Sequence, residues 1–133
     1  MFKIVVDFLN CNPGKKQYSK MTNDQIYEYL SYEARLTIFH DNQIIFSEEI
    51  AIIEFYQQLV IWHKGYKSGN RSSFLYTTVE HIAPILEFCA IDGSSWKIDS
   101  IWKRCYDPII VDNLVFSNEI DALISFLNAV LEY

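Results

Sequence analysis

The chain has 133 residues, half of them hydrophobic and 16% aromatic, with a formal net charge of −6. A chain of this length can bury roughly two-thirds of its unfolded surface around one core, and its aromatic richness argues against disorder. The acidic balance excludes long-range steering towards phosphate backbones and favours a basic partner.

In chain order, Phe2 to Leu9 reads as a first strand and not as a signal peptide, because Lys3 and Asp7 interrupt the apolar run and no cleavage site follows. The next segment carries Lys15, Lys16, Lys20 and the turn pair Pro13-Gly14, so it is expected to be a loop. Thr22 followed by Gln25 is a capping-box spacing that predicts a turn of helix. From Leu30 the period becomes two, with Tyr32, Ala34, Leu36 and Ile38 on one face, and Asp41-Asn42 turns the chain into a hairpin.

Ser47 is then expected to cap a helix whose first turn holds Glu48 and Glu49. Ile52, Phe55, Tyr56, Leu59, Trp62 and His63 form its apolar stripe, and Gly65 is expected to end it. Two strands are expected to follow, Ser73 to Val79 and Ile82 to Asp92, the second with Pro84 near its start, where a lost N–H matters least. Asp92-Gly93 turns into a strand expected to run from Ser95 past Trp102. An irregular stretch or short strand leads to a last helix, capped by Ser117, with Ile120, Leu123, Ile124, Leu127, Val130 and Leu131 at helical spacing. No run approaches the ~18 apolar residues of a membrane span. The prediction is a single α+β domain over residues 1–133. Its antiparallel sheet has about five or six strands, with two main helices packed on one face.

No reaction is specified by these residues. His40, His63 and His81 lack a second histidine at helical spacing, no Cys-x-x-Cys occurs, and the four glycines form no phosphate loop, so neither metal nor cofactor is expected. Cys11, Cys89 and Cys105 are scattered and odd in number, which suits reduced thiols in a cytoplasmic protein. The basic groups Lys15, Lys16, Lys20 and Lys64, Lys67, Arg71 fall in predicted loops or at a helix end and read as solvated. Glu54, inside an apolar helical run, either faces solvent or pairs with a strand cation.

One succession is distinctive: Leu59-Val60-Ile61-Trp62, Phe74-Leu75-Tyr76, Pro84-Ile85-Leu86-Glu87-Phe88 and Trp96-Lys97-Ile98-Asp99-Ser100-Ile101-Trp102. Across residues 44–131 it resembles a group of short bacterial proteins from Gram-positive species and is similar to immunity proteins of polymorphic toxin systems. In that group an acidic cluster precedes the Pro-Ile-Leu segment; here Glu80 stands in its place. The resemblance implies a non-enzymatic cytoplasmic inhibitor of a cognate toxin domain, such as a basic nuclease, with no nucleic acid or membrane as partner. Glu80, Glu87, Asp92, Lys97 and Asp99 are the expected partner-binding residues. The rival expectations are a small enzyme or ligand-binding domain, with His63, His81, Glu54 and Tyr76 in a pocket between sheet and helices, and a homodimer closed by exposed aromatics.

The segment DGSSWKIDSIWKR raises one more question, whether its tryptophans and cations form a surface for stacking nucleic-acid bases or the inner seam of a sheet. Strand alternation puts Trp96, Ile98, Ser100 and Trp102 on one side and Lys97, Asp99, Ile101 and Lys103 on the other. Rings and cations therefore do not share a base-stacking surface. The tryptophan side is expected to be core, Trp102 its more exposed end, and Lys97 and Asp99 the side a partner meets.

Overall fold

The computed structural model describes residues 1–8, 21–78 and 83–131. The expected loop over 10–20, with its three lysines and Cys11, and the residues Glu80 and His81 lie outside them. The elements are β1 (Phe2–Asp7), α1 (Asn23–Leu30), β2 (Glu33–His40), β3 (Gln43–Ala51), α2 (Ile52–Lys67), β4 (Phe74–Tyr76), β5 (Leu86–Ala90), β6 (Ser95–Asp99), β7 (Ile109–Asp112) and α3 (Asn113–Leu131).

The α+β expectation holds at that level, but the single sheet with two helices does not. The strands form two antiparallel sheets, β1-β2-β3 and β4-β5-β6-β7, and three helices occur among the described residues. A bulge interrupts β3. Ile45 drops out of the β2–β3 pairing, which resumes at Ile38↔Phe46. Its carbonyl instead accepts the Arg104 N–H at 2.8 Å. The chain beyond β6 thus meets β3 through Arg104, without a described ladder.

Local chemistry explains most elements. Thr22 Oγ1 accepts the Gln25 N–H and Gln25 Oε1 accepts the Thr22 N–H, a reciprocal cap that starts α1. Asp41 and Asn42 both take positive φ, 51° and 67°, as a two-residue hairpin turn between twisted strands requires.

Two helix starts differ from the sequence expectation. Ser47 lies inside β3, opposite Thr37, and the ladder continues through Ala51↔Glu33. Arg35, opposite Glu49, bonds both Ser47 and Glu49, so cross-strand pairing overrides the local capping signal. α2 begins at Ile52, whose N–H is taken by the Tyr32 carbonyl at 3.1 Å. It also runs past Gly65, and the positive φ of 94° that closes the turn belongs to Gly69.

α3 likewise starts four residues before Ser117. Asp112 Oδ2 accepts the Leu114 N–H at 3.0 Å, in the manner of an N-cap. The resulting 19-residue helix has an 18-residue window of mean hydropathy 1.5, long and apolar enough by those criteria to cross a membrane, which corrects the sequence expectation. Its stripe of Phe116, Ile120, Leu123, Ile124, Leu127 and Leu131 is nevertheless buried in the protein core.

The core draws on both sheets and all three helices. Under the four-stranded sheet it is mainly aromatic. Trp96 is fully buried and stacks on Phe116 at 4.6 Å, while Trp62 and Tyr66 meet it edge-on at 5.9 and 5.5 Å. Its indole N–H donates to Asn113 Oδ1 at 2.9 Å. The ring is therefore core, as the alternation predicts, and β6 ends at Asp99, before Trp102. Trp102 is half-buried just outside the strand.

Candidate functional site

Alternation in the four-stranded sheet divides its side chains cleanly. Phe74, Tyr76, Leu86, Phe88, Trp96, Ile98, Ile109 and Val111 face the core. The other positions form an outer face. Leu75 and Ile110 are exposed on the two edge strands at 45% and 44%, with Glu87, Cys89, Lys97 and Asp99 half-buried between them.

Register sets which of these meet. Glu87 stands directly opposite Asp99, Cys89 opposite Lys97, and Lys97 opposite Ile110. Two carboxylates thus share one cross-strand pair, an arrangement that weakens a sheet. Asp99 is partly offset: its Oδ1 takes the Ser100 N–H at 2.9 Å, and Lys103 Nζ lies 3.7 Å away. The face is mixed in polarity and rimmed by apolar side chains.

Of the expected partner-binding residues, Glu87, Lys97 and Asp99 come together here. Asp92 does not join them. It lies at the turn of the β5–β6 hairpin, whereas Glu87 and Asp99 sit at its open end, roughly 16 Å along the strand at ~3.3 Å per residue. Its carboxylate accepts the Ser94 N–H at 2.7 Å and the Ser94 hydroxyl at 2.9 Å. These bonds, the backbone one foremost, hold its carboxyl below the ordinary aspartate range. Its carbonyl accepts from Arg71, whose guanidinium lies 5.1 Å over the Trp96 ring. Asp92 is thus bonded within the turn. The edge residues Leu75 and Ile110 were missed as site residues, although the alternation in Phe74–Tyr76 and Ile109–Asp112 contained the signal.

Of the residues of the enzyme alternative, His81 lies outside the described residues, and His63 and Tyr76 make separate contacts. His63 Nε2 lies 3.0 Å from Asp121 Oδ1, joining α2 to α3, and Lys67 Nζ bonds the same carboxylate at 2.7 Å. Tyr76 is in the core, with its ring 5.2 Å from Phe55. Burial first, and the Glu54 charge second, push its hydroxyl well above the ordinary tyrosine value. The clefts beside β1, beneath α1 and at the meeting of α2 with α3 are lined by other residues. Among the described residues, no three His, Cys, Asp or Glu side chains are grouped to hold a metal ion.

The outer face of the three-stranded sheet is polar in a different way. Ser47 is 6% exposed, its hydroxyl bonded to Thr37 at 3.0 Å and to Arg35 at 3.2 Å. Its carbonyl accepts from both Arg35 and Arg104, and Arg35 also reaches Glu49. This network was not foreseen, because it depends on Arg104 arriving from a point 57 residues away.

No curated protein and no solved structure matches the chain. A family profile spans residues 4–133, nearly the whole sequence. The chain belongs to the family described as a domain of unknown function, DUF7878.

Proposed function

We propose that the protein is an immunity-like inhibitor that binds a cognate bacterial toxin domain through the outer face of the four-stranded sheet and performs no catalysis of its own. The observation that carries this reading is the Glu87–Asp99 pair. Like charges directly opposed on an open sheet cost stability, so folding alone does not favour them. An arginine or lysine from a basic partner relieves that repulsion and leaves Leu75 and Ile110 to supply apolar contact. The net charge of −6 steers the same class of partner, such as a nuclease whose active site binds phosphates. On this reading the inhibitor acts in the cytoplasm, where its side chains stand in for nucleic-acid phosphates.

Co-expression tests it. The toxin domain encoded beside this gene should arrest growth alone and be neutralised by the wild-type chain. Neutralisation should fail with Glu87→Lys plus Asp99→Lys while circular dichroism remains unchanged. A neighbouring metabolic operon with no toxin gene, or rescue that survives the double reversal, would sink the proposal.

A further inference from the structure

A second surface, independent of the proposed toxin-binding face, lies on the other sheet. β1 is the edge of the three-stranded sheet. Its Ile4 N–H points away from β2 and donates to Glu119 Oε1 of α3 at 2.9 Å. The carboxylate oxygen occupies the place where the carbonyl of an added strand would sit. By the period of two, Phe2 and Val6 present their N–H and C=O groups on that same side, and no described strand lies there.

A helix packed flush against this edge would close it, one of the usual protections of an edge strand. Instead a cleft of ≈380 Å³ runs between Lys3, Val5 and Val6 on the strand and Glu119, Ala122 and Phe126 on the helix, so among the described residues Glu119 is its one carboxylate and Lys3 its one cation. Ala122 leaves the helix wall low. Phe126 is 43% exposed, with its ring 6.4 Å from Phe8.

We infer that this cleft takes an extended basic segment of a partner protein as an added strand. The backbone of the segment pairs with the edge of β1 that no described strand covers, its carbonyl displacing Glu119 from the Ile4 N–H. Alternate apolar side chains enter against Ala122 and Phe126, and a lysine or arginine meets Glu119. Edge hydrogen bonds give such docking its affinity and alternate side-chain contacts its specificity. Charge selects this occupant over a second copy. Edge-to-edge pairing of two β1 strands would draw two Glu119 carboxylates, and two chains of net charge −6, towards one junction.

Selection of random dodecapeptides displayed on phage, against the full chain, tests the inference. Enriched peptides should alternate apolar residues around a lysine or arginine, and binding should slow hydrogen exchange at the Val6 amide. Ala122→Phe fills the cleft from an exposed helix position. Val6→Pro removes an outward N–H without breaking the ladder to β2. Each should weaken binding of a synthetic selected peptide at least tenfold, with unchanged circular dichroism, and Glu119→Gln should erase the preference for the basic residue. Enrichment of no sequence, or binding that survives both Ala122→Phe and Val6→Pro, overturns the inference. A concentration-dependent dimer abolished by Val6→Pro also overturns it, by assigning the edge to a second copy.

Discussion

The two sheets turn polar outer faces away from one core, yet they use polarity in opposite ways. On the three-stranded sheet Arg35, Thr37, Ser47, Glu49 and Arg104 are bonded to one another, and Ser47 is nearly sealed. On the four-stranded sheet two carboxylates oppose each other in register, between exposed apolar side chains. The first pattern holds structure together, because each polar group has its counterpart within the chain. The second sets Glu87 directly against a like charge, which a partner can answer. Polar character alone does not mark a binding face; the distinction lies in whether like charges are set opposite each other.

The largest test of this contrast uses adjacent residues of β6. Trp96→Ala should cost about 3–5 kcal/mol in urea unfolding, because it empties a fully buried aromatic site and orphans the Asn113 contact. Lys97→Ala, one position along on the outer face, should stay within about 0.5 kcal/mol. Comparable losses at both positions would mean that the outer face carries stability too. The next test lies on the three-stranded sheet. Ser47→Ala removes a hydroxyl bonded to Thr37 and Arg35 and should cost about 1 kcal/mol. An unchanged urea midpoint would remove the network from the structural category.

These contrasts were unequally legible in the sequence. The inward stripe of β2, the Asp41-Asn42 turn, the buried side of Trp96 and the core residues of α2 and α3 all follow from local periodicity, and the structure contains them. Boundaries set by distant partners were hidden. Ser47 has the composition of a helix cap, but Arg35 and Thr37 across the ladder and Arg104 from beyond β6 decide its place. Bulged Ile45 likewise has its carbonyl taken by Arg104, a contact from far along the chain. Within the candidate site, alternation placed Lys97 and Asp99 outward, whereas the Glu87–Asp99 opposition required the register. Asp92 looked equally available until the Ser94 bonds showed its carboxylate engaged.

A third carboxylate sharpens the same distinction by pH. Burial pushes the Asp121 carboxyl upward, but hydrogen bonds from Lys67 and His63 outweigh it and leave the value lowered. A carboxyl lowered by folding contributes stability above the ordinary aspartate value of about 3.9. That contribution disappears as pH falls through the lowered folded value. Asp121→Asn should therefore be less stable than wild type at pH 6, and the gap should shrink at pH 3 when urea midpoints are compared. A gap of equal size at both values would separate the α2–α3 contact from ionisation.

The smallest stability effect is the most discriminating. Glu87→Gln preserves shape and removes one of two opposed charges. If Glu87 belongs to a self-satisfied network like that around Ser47, the change should cost about 1 kcal/mol. If it belongs to an unmatched face, the protein should be unchanged or gain a few tenths of a kcal/mol, with the gain limited by solvent screening and by Lys103 beside Asp99. The same substitution should slow association with a basic toxin domain, and the difference from wild type should narrow as salt is raised. A variant that folds at least as well and binds more slowly would assign the Glu87 charge to the partner. Lost stability with unaltered association would assign it to the sheet.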